Sequence, residues 1–493
     1  MSTSLGSAAR GSSITFIGSV VSALAGFALT VVMTRTLGAA GSGIVFQMIS
    51  VFTIAGAVAK LGLDTTAVWL LPRLAIDSGD DIPRAIRILL VGAALGGVAG
   101  GLVLLVLAPL LTGASPELSA LTRVAAGFVP LSTVATVALA VSRGLGGVRD
   151  YVLIGSVALP VGRLVTIAVT SAFAASAVAT GTAWLVVLLV IAAWALLVVR
   201  VMSRRFQSGS GGGIGQGTLL KRIATFAGPR AVSAGIEQSL AWLDVLIVGL
   251  VAGPASAGVY GAISRLVQAG TIPSTSVRIV VAPEFSRMIH GGRFRELDDF
   301  YTRTAQWIVL FSLPIYTLLI ILGGPLLSLF GPGFEAGGTA LAIMCIGAVV
   351  SACTGNVQSL LLMSGRSMWA ALNKVIVLAV SVGLLLVLVP IYGIVGAAIS
   401  YTISVSLDAI LATIQVRLGV KIRLNYGAVF LAALAGGVGT GAGALIARVV
   451  AGETIVALAF GSCLGFVLWI ATLYFMRERF ALGEAVGFVS RRK

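Results

Sequence analysis

Residues 14–43 read ITFIGSVVSALAGFALTVVMTRTLGAAGSG, and the first 21 of them, positions 14–34, carry no charged side chain. A helix rises about 1.5 Å per residue, so about 20 apolar residues cross the ~30 Å hydrocarbon layer of a bilayer. The apolar centre of a cleaved signal peptide is shorter, about 7–15 residues behind a basic start. Positions 14–34 are therefore expected to be a retained first membrane helix. Arg35-Thr36-Leu37-Gly38 closes it, and the glycines to Gly43 allow a tight turn into a second.

The same pattern recurs along the chain. Of 493 residues, 58% are hydrophobic and 10% charged, with a mean hydropathy of +1.08. A soluble domain carries about 25% charged residues. Backbone groups in lipid must be satisfied internally, which leaves helices or a closed barrel. Barrel strands are about 9–11 residues of alternating polarity, whereas the apolar runs here have the length of helices. About fourteen spans are predicted, near 14–36, 44–70, 88–110, 119–141, 152–173, 182–199, 224–250, 258–282, 304–322, 339–363, 371–389, 394–415, 427–447 and 455–475. The expected fold is an all-α polytopic membrane protein.

Charge sets the orientation. Of 33 lysines and arginines, 24 fall in one set of alternating loops, and Arg448 alone falls in the other set. Cytoplasmic loops carry the excess of basic residues, so both termini are expected in the cytoplasm. The net charge of +16 is spread over these short loops and forms no single basic face, which argues against nucleic acid as a partner.

The chain also repeats. Leu37–Ile44 joins spans one and two, and Ala252–Val259 joins spans seven and eight. Gly38 aligns with Gly253, and Gly43 with Gly258, at an offset of 215. Gly147 and Gly365 follow spans four and ten at 218. A six-span unit repeated in parallel places a substrate path between two halves. The expected division is an N-lobe over 1–207, a Gly/Ser-rich linker over 208–222, a C-lobe over 223–425, and two further helices with a tail over 426–493.

Several chemistries are excluded. Residues 208–217, SGSGGGIGQG, lack the lysine of a phosphate-binding loop. Cys345, Cys353 and Cys463 lie in apolar runs and read as packing residues, and His290, in a polar loop, cannot build a zinc site alone. The outer loops hold only Glu117, Glu335 and Glu453, far apart, where a membrane glycosyltransferase or polymerase would need catalytic acids or histidines on sizeable loops. No enzyme activity and no bound cofactor are expected.

The motif residues resemble a known family. Arg35-Thr-Leu-Gly38 with Gly43, then Lys60-Leu-Gly62-Leu-Asp64, are similar to the first two spans of the polysaccharide (O-antigen type) flippases. Phe226-Ala-Gly-Pro229, Asp244, Gly258-Val-Tyr260, Pro273 and Pro283-Glu-Phe-Ser286 follow in that family's order. Relatives in the same superfamily are the lipid II flippases and the multidrug and toxin extruders. The lipid II flippases carry arginines inside the first span, and residues 14–34 hold none. The resemblance implies two six-helix lobes around a cavity lined by spans one, two, seven and eight, alternating access, and a lipid-linked oligosaccharide as cargo. It implies a bacterial plasma (inner) membrane location, with polysaccharide polymerase and glycosyltransferases as partners beside membrane lipids. A multidrug antiporter and a lipid II flippase are the alternative functions.

Charges inside the spans are the candidate site. Each costs about 2.5–3.5 kcal/mol at the bilayer centre, so each must face protein or water. Arg230, Glu237 and Asp244 are seven apart on one predicted face of span seven, with Gln238 beside it. Arg265 falls near the middle of span eight. One reading is a cavity wall, with Arg265 meeting a pyrophosphate and the acids carrying protons or sodium; the other is a buried ion-pair network. Arg35, Lys60, Asp64 and Arg163 complete the candidates. Lys60 and Asp64 are four apart and able to pair, and Arg163 has no nameable partner. Arg123, Arg278 and Lys374 are expected to snorkel to span ends, Asp408 to cap or pair, and Gly92, Gly96 and Gly100 to pack helices.

Overall fold

The computed structural model describes residues 2–77, 79–111, 115–206, 215–452, 454–476 and 478–480. It is helical, with no strand among those residues. Among the described residues, eleven helices are long and apolar enough to cross a membrane. The chain folds as two compact units, one ending at Gly258 and one beginning at Val259.

The first unit contains α1 (Ser2–Ala59), α2 (Leu63–Asp77), α3 (Ile82–Leu107), α4 (Pro116–Gly144), α5 (Leu159–Phe173), α6 (Ala177–Ser203) and α7 (Gln216–Ala252). Helix α1 is two helices meeting at Gly38, whose φ of 65° and ψ of −172° no helix tolerates. That is the turn expected after the first span. Gly253, its repeat partner, takes φ 88° and ψ 164°, nearly the same backbone state. Gly43 and Gly258 pack directly on one another: a Cβ on Gly43 would overlap the Pro254 carbonyl and lie 2.8 Å from the Gly258 nitrogen. At the third pair the left-handed residue is Gly146 (φ 90°), one before the expected Gly147, opposite Gly365 (φ 79°).

Between helices in lipid there is no hydrophobic drive, so close packing replaces it. Helix α3 shows how. A Cβ on Gly96 would overlap the Ala59 carbonyl, and one on Gly100 would lie 2.7 Å from the Ala59 Cβ. The expected small-residue face thus seats α3 against the end of α1. Leu70, Leu71, Leu89, Val137 and Ile191 form the buried core of this unit, joined by Leu219, Ile223 and Ala227 of α7. The expected linker at 208–222 lies outside the described residues as far as 214, and from Gln216 onward it is helix, not linker.

The second unit contains α8 (Pro254–Ala269, its first turn still in the first unit), α9 (Ile272–His290), α10 (Phe294–Ile321), α11 (Gly338–Cys353), α12 (Ser367–Gly419), α13 (Tyr426–Ala451) and α14 (Ile455–Phe475). Helix α12 also joins two helices, at Gly393 (φ 56°, ψ −132°). Helix starts follow local chemistry: the Asn425 and Thr454 side chains accept from the N–H groups of Ala428 and Ala457, filling donors that a helix N-terminus leaves open.

Three predicted continuous spans are broken. Span two stops at Ala59 and restarts at Leu63, span eight is interrupted at Gly270-Thr271, and span ten at Thr354–Asn356. The last two meet. Ser274 and Asn356 share hydrogen bonds of 3.4 and 3.5 Å, and the Tyr301 hydroxyl donates to the Thr354 carbonyl at 2.6 Å. His290 ends α9 rather than lying in a loop. Cys345 is buried, but Cys463 is exposed on α14, against the expectation that all three cysteines are packed.

Candidate functional site

Helix α7 holds the central candidates, and its neighbours within the first unit fix its place. Near one end Phe226 stacks on Trp69 of α2 with centroids 4.5 Å apart, and Arg73 lies 4.6 Å over the same indole. One turn further on, α7 meets the break in span two. Leu61 (φ 52°) and Gly62 (φ 69°) are both left-handed there. A Cβ on Gly62 would come within 2.6 Å of the Ala227 carbonyl and 2.8 Å of the Arg230 Cβ. Only glycine fits both that backbone and that gap.

This break changes the meaning of the Lys60–Asp64 pair. Their 2.8 Å ion pair exists, but it spans an interruption rather than a turn of continuous helix. The pair clamps the two helix ends around Gly62, directly beside Arg230. Arg230 itself is half-buried. Its Nε is buried without an acceptor, and the guanidinium makes no ion pair among the described residues. Further along α7, Glu237 is exposed while Gln238 and Asp244 are half-buried. The Asp244 carboxylate accepts the Val245 N–H at 2.8 Å. All four candidates ride on one unbroken helix, so the spacing of seven does set Arg230, Glu237 and Asp244 along one face.

Arg163 sits in α5, just past a π-helical stretch at Val152–Ala158. Its guanidinium carbon lies over the Trp184 ring, 3.4 Å from the centroid. Phe52 of α1 buttresses that indole edge-on at 5.7 Å. No acid or hydrogen-bond acceptor meets the guanidinium among the described residues, and its Nε is buried. The partner that sequence could not name is thus a π face, which attracts a cation without neutralising it. Arg35 is exposed, three residues before the Gly38 turn.

Arg265 belongs to the second unit, half-buried on α8, with its Nη1 donating to Gln268 Oε1 at 3.0 Å. Asp408 pairs, as the sequence allowed, but its partner is one that sequence reasoning did not name. Lys374 does not snorkel; its Nζ meets Asp408 Oδ2 at 2.6 Å, tying the two arms of α12 together. Beside it, Asn373 and Gln415 exchange amide hydrogen bonds of 2.8 and 2.7 Å. Asn373 is fully buried, and a polar Asn-Lys pair inside an apolar run was the available signal. No group of three His, Cys, Asp or Glu able to hold a metal occurs among the described residues.

These features define a multi-pass helical membrane protein with broken spans and buried charges, an architecture suited to transport. The chain belongs to the polysaccharide biosynthesis protein family, whose model matches residues 8–289, more than half of it. Two curated relatives are a "Probable flippase AglR" of Haloferax volcanii, 23% identical over 36% of this chain and 38% of the relative, and a "Putative O-antigen transporter" of Shigella flexneri, 28% identical over 39% and 46%. The matched segments thus span less than half of either relative. Among solved structures, the lipid II flippase MurJ in an inward closed conformation superposes at a TM-score of 0.73, with 12% identity over 94% of this chain and 99% of MurJ. An inward-facing multidrug resistance MATE family transporter follows at 0.65, with 15% identity over 83% and 95%. At such identities the likeness concerns the fold alone.

Proposed function

We propose that the protein is a flippase that carries a polyprenyl-pyrophosphate-linked oligosaccharide from the cytoplasmic to the outer leaflet by alternating access, with no reaction on the cargo. One observation carries this reading. Arg163, in mid-span, keeps a guanidinium that no protein acid neutralises among the described residues. An indole face returns about 2 kcal/mol when desolvated, less than the roughly 2.5–3.5 kcal/mol or more that a mid-bilayer charge costs. An anionic cargo supplies the missing counter-charge, and only while it is bound. Arg230, beside the Lys60–Asp64 clamp, is a second such cation. Arg35, Gln238, Glu237 and Asp244 complete the proposed lining in the first unit, and Arg265 is the candidate residue of the second.

The family membership and the names of the two curated relatives support the cargo class. The proposed topology has fourteen crossings: the eleven apolar helices, with α1 and α12 each counted as two, and the broken pair α8–α9 added as one. With an even count both termini lie in the cytoplasm, where the basic loops belong, and the membrane is the bacterial plasma membrane. Transport draws on a proton or sodium gradient or on the cargo's own gradient, with Glu237, Asp244 and Asp64 as ion-carrying candidates. Polysaccharide polymerase and glycosyltransferases are the expected partners.

The test is a liposome assay with a fluorescent lipid-linked oligosaccharide. Flipping is expected without ATP. It should fall at least about tenfold in Arg163→Ala and recover in part in Arg163→Lys, since lysine lacks the bidentate fork. Wild-type flipping by folded Arg163→Ala refutes the reading. The second reading, a multidrug cation antiporter, is favoured by the MATE-like fold. It predicts export of a cationic dye that is indifferent to Arg163.

A further inference from the structure

The second unit encloses a cavity of about 140 Å³ that none of the charges above touches. Tyr301 of α10, Thr413 and Arg417 of α12, Tyr426 at the start of α13, and Arg423 and Leu424 of the connecting loop line it. Its walls are built in advance. The loop is pinned at Gly419, whose carbonyl accepts from Arg366 at 2.7 Å, and at Asn425, whose N–H reaches Thr302 Oγ1 at 3.2 Å. Asp298 Oδ1 accepts the Arg423 N–H at 2.9 Å and is the carboxylate that touches the loop. Ile422 is 2% exposed, which anchors the segment between the two arginines. Neither the Arg417 nor the Arg423 guanidinium has an ion pair or a hydrogen bond among the described residues. Two cations thus converge on one cavity with no acid inside it.

The surroundings select the ligand. The cavity lies where α12 leaves its apolar run and α13 begins one, at the level of a membrane–water boundary. Both helices continue from it with exposed apolar residues: Ile414 and Leu418 on α12, Tyr426 and Phe430 on α13. Basic pockets between membrane helices at that depth suit lipid phosphates, because the phosphate meets arginine while the acyl chains lie along apolar helix faces. We propose that this cavity is a binding site for the headgroup phosphate of an anionic phospholipid, separate from the path of the cargo. A bidentate guanidinium–phosphate contact from each arginine holds it, and the hydroxyl of Tyr426 supplies a further hydrogen bond.

The test uses delipidated full-length protein in mixed micelles, titrated with dioleoyl-phosphatidylglycerol and read by native mass spectrometry. Parallel titrations use dioleoyl-phosphatidylcholine and inorganic phosphate. Wild type is expected to retain phosphatidylglycerol with about tenfold preference over phosphatidylcholine. Arg417→Gln/Arg423→Gln should lose that preference, and Arg417→Lys/Arg423→Lys should keep part of it. The exposed pair Arg200→Gln/Arg204→Gln, which does not line this cavity, serves as control and should behave as wild type. Equal retention by the Gln double variant, or an equal loss in the control pair, overturns the proposal. Inorganic phosphate competing as strongly as the lipid overturns it too, because the site would then be one for a soluble anion. Flipping activity plays no part in the readout, so the outcome is independent of the cargo.

Discussion

The turn at Gly38 is repeated at Gly253, yet Lys374 of the second unit and Arg163 of the first meet their surroundings in opposite ways. In the second, Lys374 is neutralised by Asp408 at 2.6 Å and flanked by the Asn373–Gln415 amide pair. In the first, Arg163 rests on an indole, and Arg230 has a buried nitrogen without an acceptor. A neutralised pair holds two helices together and has nothing left for a ligand. A cation on a π face is kept in place while its charge stays available. Repeated architecture therefore does not imply repeated charge chemistry: Arg163 keeps its charge on a π face, whereas Lys374 is tied into its own hairpin.

The largest expected effect lies in the second unit. Asp408→Ala leaves Lys374 uncompensated and should cost about 3 kcal/mol, the low end for breaking a buried pair, because Lys374 keeps a third of its surface exposed. Lys374→Met/Asp408→Leu should return most of that stability, since an apolar pair avoids the desolvation cost. Thermal unfolding in detergent measures both. A neutral Asp408→Ala would remove the contrast between the units.

The break in span two comes next. Gly62→Ala forces a Cβ into left-handed backbone and against the Ala227 carbonyl, for a loss of about 1–3 kcal/mol. The same substitution at Gly127, a helical glycine with open space around its Cα, should gain up to about 1 kcal/mol. A tolerated Gly62→Ala would mean that the break is not what positions Arg230.

The smallest effect on stability, and the most telling, is at Arg163. Arg163→Met removes a cation that has no acid, so the melting temperature should hold or rise slightly while flipping falls. A loss as large as that of Asp408→Ala would reveal a counter-ion and make the two units alike. Impermeant labelling tests the frame of the comparison: a cysteine at the exposed Ala255 should react from outside, and one at the exposed Gly291 should not. Cysteines at Ser78 and Ser210, outside the described residues, are likewise expected to be protected.

Much of the fold was legible because the bilayer filters sequence locally. A run of about 20 apolar residues is a helix whatever its neighbours are, and basic loops orient it, since both effects add residue by residue. The repeat was legible for a similar reason. Glycine at positive φ is a demand of the backbone itself, written at positions 38 and 253. The breaks at 60–62, 270–271 and 354–356 were not legible. Each lies in an apolar run, and each is opened by contacts with other helices, as when Gly62 fits against Ala227 or Asn356 finds Ser274.

For the site, sequence by itself determined which charges fall within apolar runs, and that Arg230, Glu237 and Asp244 share a face, because one helix sets that spacing. Only the tertiary structure decided which of those charges are already spent. Lys374 and Asp408 are 34 residues apart, and their meeting depends on the register of a hairpin folded at Gly393. Arg163 reaches Trp184 only because α5 and α6 pack side by side. A charge can be counted along the chain, but its neutralisation depends on distances of a few ångströms between helices, and those are set when the helices pack.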